Sequence, residues 1–158
     1  MDARLDRIAE YFVTRNANSP VDPLTIAPDL LPHIFILAIE HGQPPQPNRL
    51  RVRLTGTALD AALGRRLVGH YLDEFIHGPR GAEVLDAFNR CAEDGEPIWM
   101  RQVASLNCAA LRFVEAVAIR IGHDRLYGGL IVFEWAGKVD TPIFEYLSLR
   151  SSSPNDRL

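Results

Sequence analysis

Glu115 is the acidic residue whose surroundings in the sequence most suggest chemistry. Within residues 111–122 it alternates with Phe113 and Val117, so a β-strand would point its carboxylate to the same side as these apolar side chains. An unpaired carboxylate in such surroundings is strongly destabilising or takes up a proton. Arg101, in the preceding apolar run, is a candidate partner. The two residues predict the polar anchor of a mostly apolar ligand pocket; in the alternative, Glu115 lies on the exposed face of the sheet or at an edge.

Other residues offer little support for catalysis or metal binding. The two cysteines, Cys91 and Cys108, show neither a CxxC motif nor zinc-ligand spacing, so we expect free thiols. Neither Ser105 nor Ser148 lies in the glycine context of a nucleophile elbow, and the sequence has no HExxH motif or phosphate-binding loop. We therefore expect no catalytic residue and no metal site, and we leave the cofactor open.

The composition is that of one ordinary soluble domain. A chain of 158 residues with 47% hydrophobic and 23% charged residues can bury a real core. The net charge of -3 gives no basic footprint for nucleic acid or an anionic membrane. The longest apolar runs are too short to span a bilayer, and the N-terminus lacks the apolar region of a signal peptide. We therefore expect a cytoplasmic protein that binds neither nucleic acid nor membranes.

An amphipathic helix and a linker are predicted for residues 1–22. Apolar residues recur there at helical spacing, with charged residues between them. The apolar stripe consists of Leu5, Ile8, Ala9 and Phe12. Such a stripe needs a partner surface, either the sheet of its own chain or a second copy. These four residues are therefore the candidates for helix packing or for a homodimer interface.

Two strands are predicted next. Residues 34–40 are apolar on both faces, which is typical of a central or covered strand. Residues 49–56 alternate between apolar residues and arginines. We therefore expect Leu50, Val52 and Leu54 on one face of this strand and the three arginines on the other, solvated face.

A helical segment separates these strands from three more. Residues 57–64 predict a short helix with Thr57 as N-cap and Gly64 as C-cap, and a longer helix follows within residues 78–97. Three consecutive strands are then predicted at residues 97–106, 111–122 and 127–135. A turn or short helix is expected in residues 141–150, followed by a frayed tail.

This order predicts an α+β fold. Short loops between consecutive strands favour antiparallel pairing, and helices gathered between two groups of strands favour cover on one face of the sheet. We expect a five-stranded antiparallel sheet with helices on one face, plus the N-terminal helix.

The order of elements resembles the PAS fold. More specifically, the sequence resembles the alphaproteobacterial PAS-like family that was formerly catalogued as a domain of unknown function. The resemblance rests on the segments "IAPDLLPHIFILAIE", "RVRLTGTALDAALGRRLVGHYLDEF", "LRFVEAVAIRI" and "GGLIVFEW". It places a PAS-like domain at residues 23–137 and leaves residues 138–158 as a C-terminal tail.

The resemblance implies a sheet that can close around a small apolar molecule beneath its helices. The candidates for lining this pocket are Leu59, Leu63, Phe75, Phe88, Trp99, Arg101, Phe113 and Glu115. Domains of this kind sense a ligand or contact a signalling partner, and homodimers are expected by analogy of fold. The residues after the last predicted strand are too few for an output domain, so we expect any signal to leave by association.

Several alternatives remain beside this interpretation. Flavin photochemistry would need a reactive cysteine, but Cys91 falls on the predicted buried stripe of the longer helix. Haem-binding relatives use a histidine near that helix, where His70 and His77 occur. A pure interaction module would have a fully packed core and bind no small molecule. A cone-shaped enzyme of the ketosteroid-isomerase kind would need continuous helix where residues 34–40 predict a strand.

Overall fold

A computed structural model of the chain describes residues 1–15, 19–77, 80–106, 110–134 and 144–148. The α-helices in these ranges are α1 (Ala3–Val13), α2 (Thr57–Leu63) and α3 (Gly81–Asp94). Short 3-10 turns lie at Pro23–Thr25, Leu31–His33 and Leu72–Glu74. The strands are β1 (Ile34–Glu40), β2 (Arg49–Thr55), β3 (Ile98–Leu106), β4 (Ala110–Arg120), β5 (Arg125–Glu134) and β6 (Phe144–Ser148).

The strands form one open sheet in the order β2-β1-β5-β4-β3-β6, and every neighbouring pair is antiparallel. The predicted α+β class with an antiparallel sheet is confirmed, and the five predicted strands are present. The expected turn or short helix in residues 141–150 is wrong, because Phe144–Ser148 pairs with residues 98–102 of β3. An open strand edge offers unpaired backbone donors and acceptors, which a following segment satisfies when it can reach them.

One face of the sheet, here called the helical face, is covered by the segment between β2 and β3. Leu59 of α2 and Val84, Phe88 and Cys91 of α3 are buried on it. They belong to one cluster with strand residues Leu37, Ile39, Leu50, Val52, Met100, Ala116, Ala118 and Leu126. The ring centroids of Phe35 and Phe88 lie 5.9 Å apart in an edge-to-face arrangement. The helical excursion and the sheet therefore share one core.

The opposite face, here called the α1 face, carries α1 over β4 and β5. Gly129 of β5 allows the helix to approach, because a Cβ atom there would lie 2.6 Å from Cδ1 of Ile8 and 3.3 Å from Cδ2 of Leu5. The adjacent Gly128 is turned to the helical face, where a Cβ atom would lie 2.5 Å from Cζ of Phe35. Two consecutive glycines thus let α1 and Phe35 approach the same central strand from opposite sides.

The alternation of buried and exposed side chains in β2 breaks before the end of the strand. Leu37 pairs with Val52, whereas Ile36 pairs with Leu54, so Arg53 is the extra residue of a β-bulge. The bulge turns Leu54 away from the helical face, and 39% of this residue is exposed. The prediction that Leu54 shares the buried face of Val52 is therefore wrong.

Both α2 and α3 end at a glycine, as predicted for Gly64. Gly64 and Gly95 adopt left-handed conformations with φ of 68° and 70°. Nη1 of Arg120 donates to the carbonyl oxygens of Ala92 and Glu93, each at 2.8 Å. The last turn of α3 is thereby held to β4.

The start of α2 differs from the prediction by one residue. Its N-cap is Gly56 and not Thr57. A Cβ atom at Gly56 would overlap the carbonyl oxygens of Leu31 and Pro32 in the turn before β1. The close approach of two backbone segments therefore requires glycine at this cap.

Candidate functional site

Glu115 lies buried on the α1 face of β4 and accepts hydrogen bonds from three residues. The register of β3 and β4 places Arg101 opposite Glu115, and Nη2 of Arg101 lies 2.9 Å from Oε1 of Glu115. Oε2 accepts from Nε1 of Trp99 at 3.3 Å and from the backbone N–H of Asp2 at 2.9 Å. Only 4% of Glu115 is exposed. The three donors compensate for burial of the charge.

Asp2 connects this carboxylate to the start of α1. It is the N-cap of the helix, and its side chain accepts from the backbone N–H of Arg4 at 2.8 Å and from Nε of Arg4 at 3.0 Å. Backbone N–H groups at a helix start lack intrahelical acceptors and carry a partial positive charge. Glu115 therefore complements the end of α1 as well as Arg101. Sequence reasoning missed this contact, since no pattern links positions 2 and 115.

The same donors determine the charge of Glu115. Burial raises the pKa of the Glu115 carboxyl group, but the hydrogen bonds from the Asp2 amide, Arg101 and Trp99 outweigh burial, and the pKa lies below its usual value of 4.5. Glu115 is therefore ionised at neutral pH and cannot act there as a general acid. Both of its oxygen atoms already have donors within the chain. This arrangement fits an anchor that holds α1 to the sheet better than a group that binds a ligand.

Two aromatic rings lie near the guanidinium group of Arg101, the cation of the ion pair. Cζ of Arg101 lies 5.3 Å from the ring centroid of Trp99 and 5.2 Å from that of Phe113. The Phe113 ring lies 6.0 Å from the ring of Phe133. A guanidinium group near ring faces gains cation–π attraction. Four of the predicted pocket residues, Trp99, Arg101, Phe113 and Glu115, thus come together on the α1 face.

The other four predicted pocket residues lie on the helical face. Leu59 and Phe88 are buried in the cluster beneath α2 and α3, and Leu63 and Phe75 pack at its margin. The sheet separates them from the group around Glu115, because alternate residues of a strand face opposite sides. The prediction of a single pocket lined by all eight residues is therefore wrong.

The apolar stripe of α1 is turned to the sheet of its own chain. Its four residues are between 0% and 8% exposed: Leu5, Ile8, Ala9 and Phe12. They share a cluster with Ile34, Val117, Ile119 and Ile131 of the sheet and with Ile26 and Leu30 of the segment between α1 and β1. The two predicted partners of this stripe are the sheet of the same chain and a second copy, and in the structure the stripe packs on the sheet of the same chain. A homodimer through the stripe would require α1 to leave that position.

Cysteine and histidine side chains do not form a second site in the part of the chain that the structure describes. Burial raises the pKa of the Cys91 thiol to about 12, so it is protonated at neutral pH and a poor nucleophile. Cys108 lies outside the described residues. His70 pairs with Glu74 at 3.5 Å on the surface, and His77 is exposed. Among the described residues no group of three or more His, Cys, Asp or Glu side chains could hold a metal ion.

Neither similarity to known proteins nor the hydropathy of the helices assigns a function to the chain. Within the described ranges no helix combines the length and the apolar character needed to cross a membrane. Comparisons with models of protein families, with curated proteins and with solved structures found no match to the chain. The PAS-like family, the function and the partners therefore stay predictions.

Proposed function

We propose that the chain is a PAS-like regulatory domain that acts through contact with a partner protein. The order of elements supports the PAS-like assignment, since two strands, a helical excursion and three strands follow one another along the chain. The observation that carries the proposal is that the chain packs its own apolar residues on the helical face and, over β4 and β5, on the α1 face. The buried members of the helical-face cluster are 0–6% exposed, and those of the α1-face cluster are 0–8% exposed.

A filled core favours recognition at the surface. Phe88 and Leu59 occupy the space between helices and sheet where a small apolar molecule would have to lie. On the α1 face, Arg101 donates to Glu115, and α1 covers apolar residues beside this carboxylate. Close-packed interiors resist the insertion of further atoms. The domain then resembles the pure interaction module more than the sensor with an internal ligand.

A second candidate function, binding of a small apolar ligand, is supported by a group of apolar side chains at the margin of the helical-face cluster. Leu63, Phe75, Ile76 and Leu85 pack against the cluster but remain partly exposed. Apolar side chains at this position are what the mouth of a binding site between α2 and α3 would present. A ligand there would need α2 or α3 to move outward.

The cone-shaped enzyme is not retained as a candidate. That fold requires continuous helix at residues 34–40, whereas Ile34–Glu40 is strand β1, which lies between β2 and β5.

Native mass spectrometry of the full chain purified from its own host tests the proposal. We expect the mass of the polypeptide without a bound small molecule, and a second protein retained in the complex. A small bound mass that disappears on denaturation would favour the ligand sensor instead. The matched variants are Leu63→Trp, which fills the margin between the helices, and Leu24→Trp, which lies on an exposed turn. A sensor would lose the bound mass in the first variant only, and the same spectra report whether the chain forms a homodimer.

A further inference from the structure

We propose that the α1 face of β1 and β2 is the docking surface for an acidic amphipathic helix of the partner protein. This inference rests on the proposed function and specifies where the partner binds and with what chemistry. It is carried by two rows of side chains that cross the strands beside α1.

The first row combines two arginines with a small residue. The strand register places Arg51 of β2 and Arg125 of β5 on either side of Ala38 in β1. Cross-strand partners project from the same face of a sheet. Both arginines reach solvent, and the small side chain of Ala38 between them is itself partly exposed. An acidic side chain placed over Ala38 would lie within reach of two guanidinium groups.

The second row is apolar. Leu54 of β2, Ile36 of β1 and Tyr127 of β5 are aligned by the same register, and all three are partly or largely exposed. The β-bulge at Arg53 brings Leu54 into this row. Ile34, which lies two residues before Ile36 on the same face, is already covered by the cluster under α1. The row therefore continues a buried apolar surface out into solvent.

The charge of this surface indicates the chemistry of the partner. Asp73 neutralises Arg49 at 2.7 Å, and Glu40 lies 3.5 Å from Arg51. Arg125 forms no ion pair with any residue that the structure describes. The surface thus carries an excess of positive charge on a chain whose net charge is -3. Complementary charge favours an acidic partner segment.

The spacing of the rows and the position of α1 favour a helix as that segment. The rows are two residues apart along β1, which corresponds to roughly 7 Å. Side chains three or four positions apart on a helix are about 5–6 Å apart and can contact both rows. A helix over β1 and β2 would lie two strand spacings from α1, or about 9.6 Å. This agrees with the 8–10 Å that separates the axes of packed helices.

Site-specific photo-cross-linking of the full chain in its host tests the surface. The photoreactive residue p-benzoylphenylalanine replaces Leu54 on the proposed surface or, as a control, Leu24, which is 93% exposed on the Pro23–Thr25 turn. We expect capture from position 54 and not from position 24. The cross-linked peptide should carry acidic and apolar residues at helical spacing.

Charge-reversal variants distinguish specific docking from chance contact. Arg125→Glu should lower the yield of the cross-link from position 54 about tenfold, because it removes a charge-assisted contact and adds repulsion. Arg90→Glu, on α3 and on the other side of the sheet, should leave the yield unchanged. Urea denaturation of both variants verifies that the fold is kept. An unchanged yield in Arg125→Glu, or a captured peptide without acidic residues, would overturn the inference.

The remaining outcomes separate this inference from the proposed function. Cross-links from position 24 alone would overturn the docking surface and leave a partner-binding domain in place. Cross-links from position 54 to a second copy of this chain would also overturn the acidic helix as its occupant. Capture from neither position, together with a small molecule retained in native mass spectrometry, would overturn both.

Discussion

Arg101 and Glu115 lie opposite each other on β3 and β4, with 2.9 Å between Nη2 and Oε1. The carboxylate of this pair also accepts the backbone N–H of Asp2, so one buried residue joins two strands and the start of α1. The N-terminal helix is therefore held by a polar anchor in addition to its apolar stripe.

Removing this anchor should destabilise the fold. We expect Glu115→Ala to lower the free energy of unfolding by about 3 kcal/mol, because it removes the buried carboxylate to which Arg101, Trp99 and the Asp2 amide donate. Urea denaturation measures the change. Glu83→Ala, which breaks an exposed pair with Arg80, is the control and should cost less than about 1 kcal/mol. Equal losses in the two variants would contradict the anchor.

The two glycines of β5 should respond differently to the same substitution. Gly129→Ala should destabilise the protein by about 1–3 kcal/mol, because only the ends of the Ile8 and Leu5 side chains lie in the way. Gly128→Ala should cost more than about 4 kcal/mol, since its Cβ atom would overlap the carbonyl oxygen of Val117 as well as the Phe35 ring. Thermal denaturation and the soluble yield of each variant measure the effect. A milder effect at Gly128 than at Gly129 would contradict the assigned faces.

Acid should weaken the attachment of α1 to the sheet. The pKa of Glu115 is lower in the folded chain than its usual value of 4.5, so the unfolded chain binds more protons between the two values. The stability that Glu115 provides is fully present above about pH 4.5 and is lost as the pH falls through the lower, folded-state pKa. Urea denaturation between pH 7 and pH 3 should show this loss, and Glu115→Gln should make the decline shallower. An equally steep decline in that variant would show that other carboxyl groups are responsible.

The β-bulge predicts unequal effects of serine at two leucines of β2. Leu50→Ser should lower the free energy of unfolding by about 3 kcal/mol, because Leu50 is buried in the helical-face cluster. Leu54→Ser should change it by less than about 1 kcal/mol, since Leu54 lies beyond the bulge and reaches solvent. Urea denaturation compares the two variants directly. Similar losses of unfolding free energy in the two variants would indicate that Leu54 is buried in the core.

Much of the candidate site follows from local sequence patterns. The alternation around Glu115 predicts the side of β4 on which it lies, and Arg101 is a suitable partner on the strand before it. The α1 stripe likewise follows from helical spacing, and Gly64 and Gly95 mark the ends of their helices. These features depend on residues that are close in the sequence or on adjacent strands.

The rest depends on relationships that no local pattern encodes. The alternation of a strand separates its two faces but does not say which face receives the helices. The sequence therefore predicts one pocket for Phe88 and Trp99, although the sheet lies between them. The bulge at Arg53 changes which residues of β2 lie on each face of the sheet, and it is visible only in the pairing of β2 with β1. β6 forms by pairing with the edge of β3 that β4 does not occupy.

The hydrogen bond from Asp2 to Glu115 joins residues 113 positions apart, and this separation affects synthesis of the protein. α1 is translated before β4 and β5, which bury its apolar residues. At about 5–20 residues per second, the nascent helix waits roughly 6–23 s for its strands. During that time its apolar side is open to chaperones and to neighbouring nascent chains. α1 is thus made well before the strands that bury it and can reach its native position only after they have been translated.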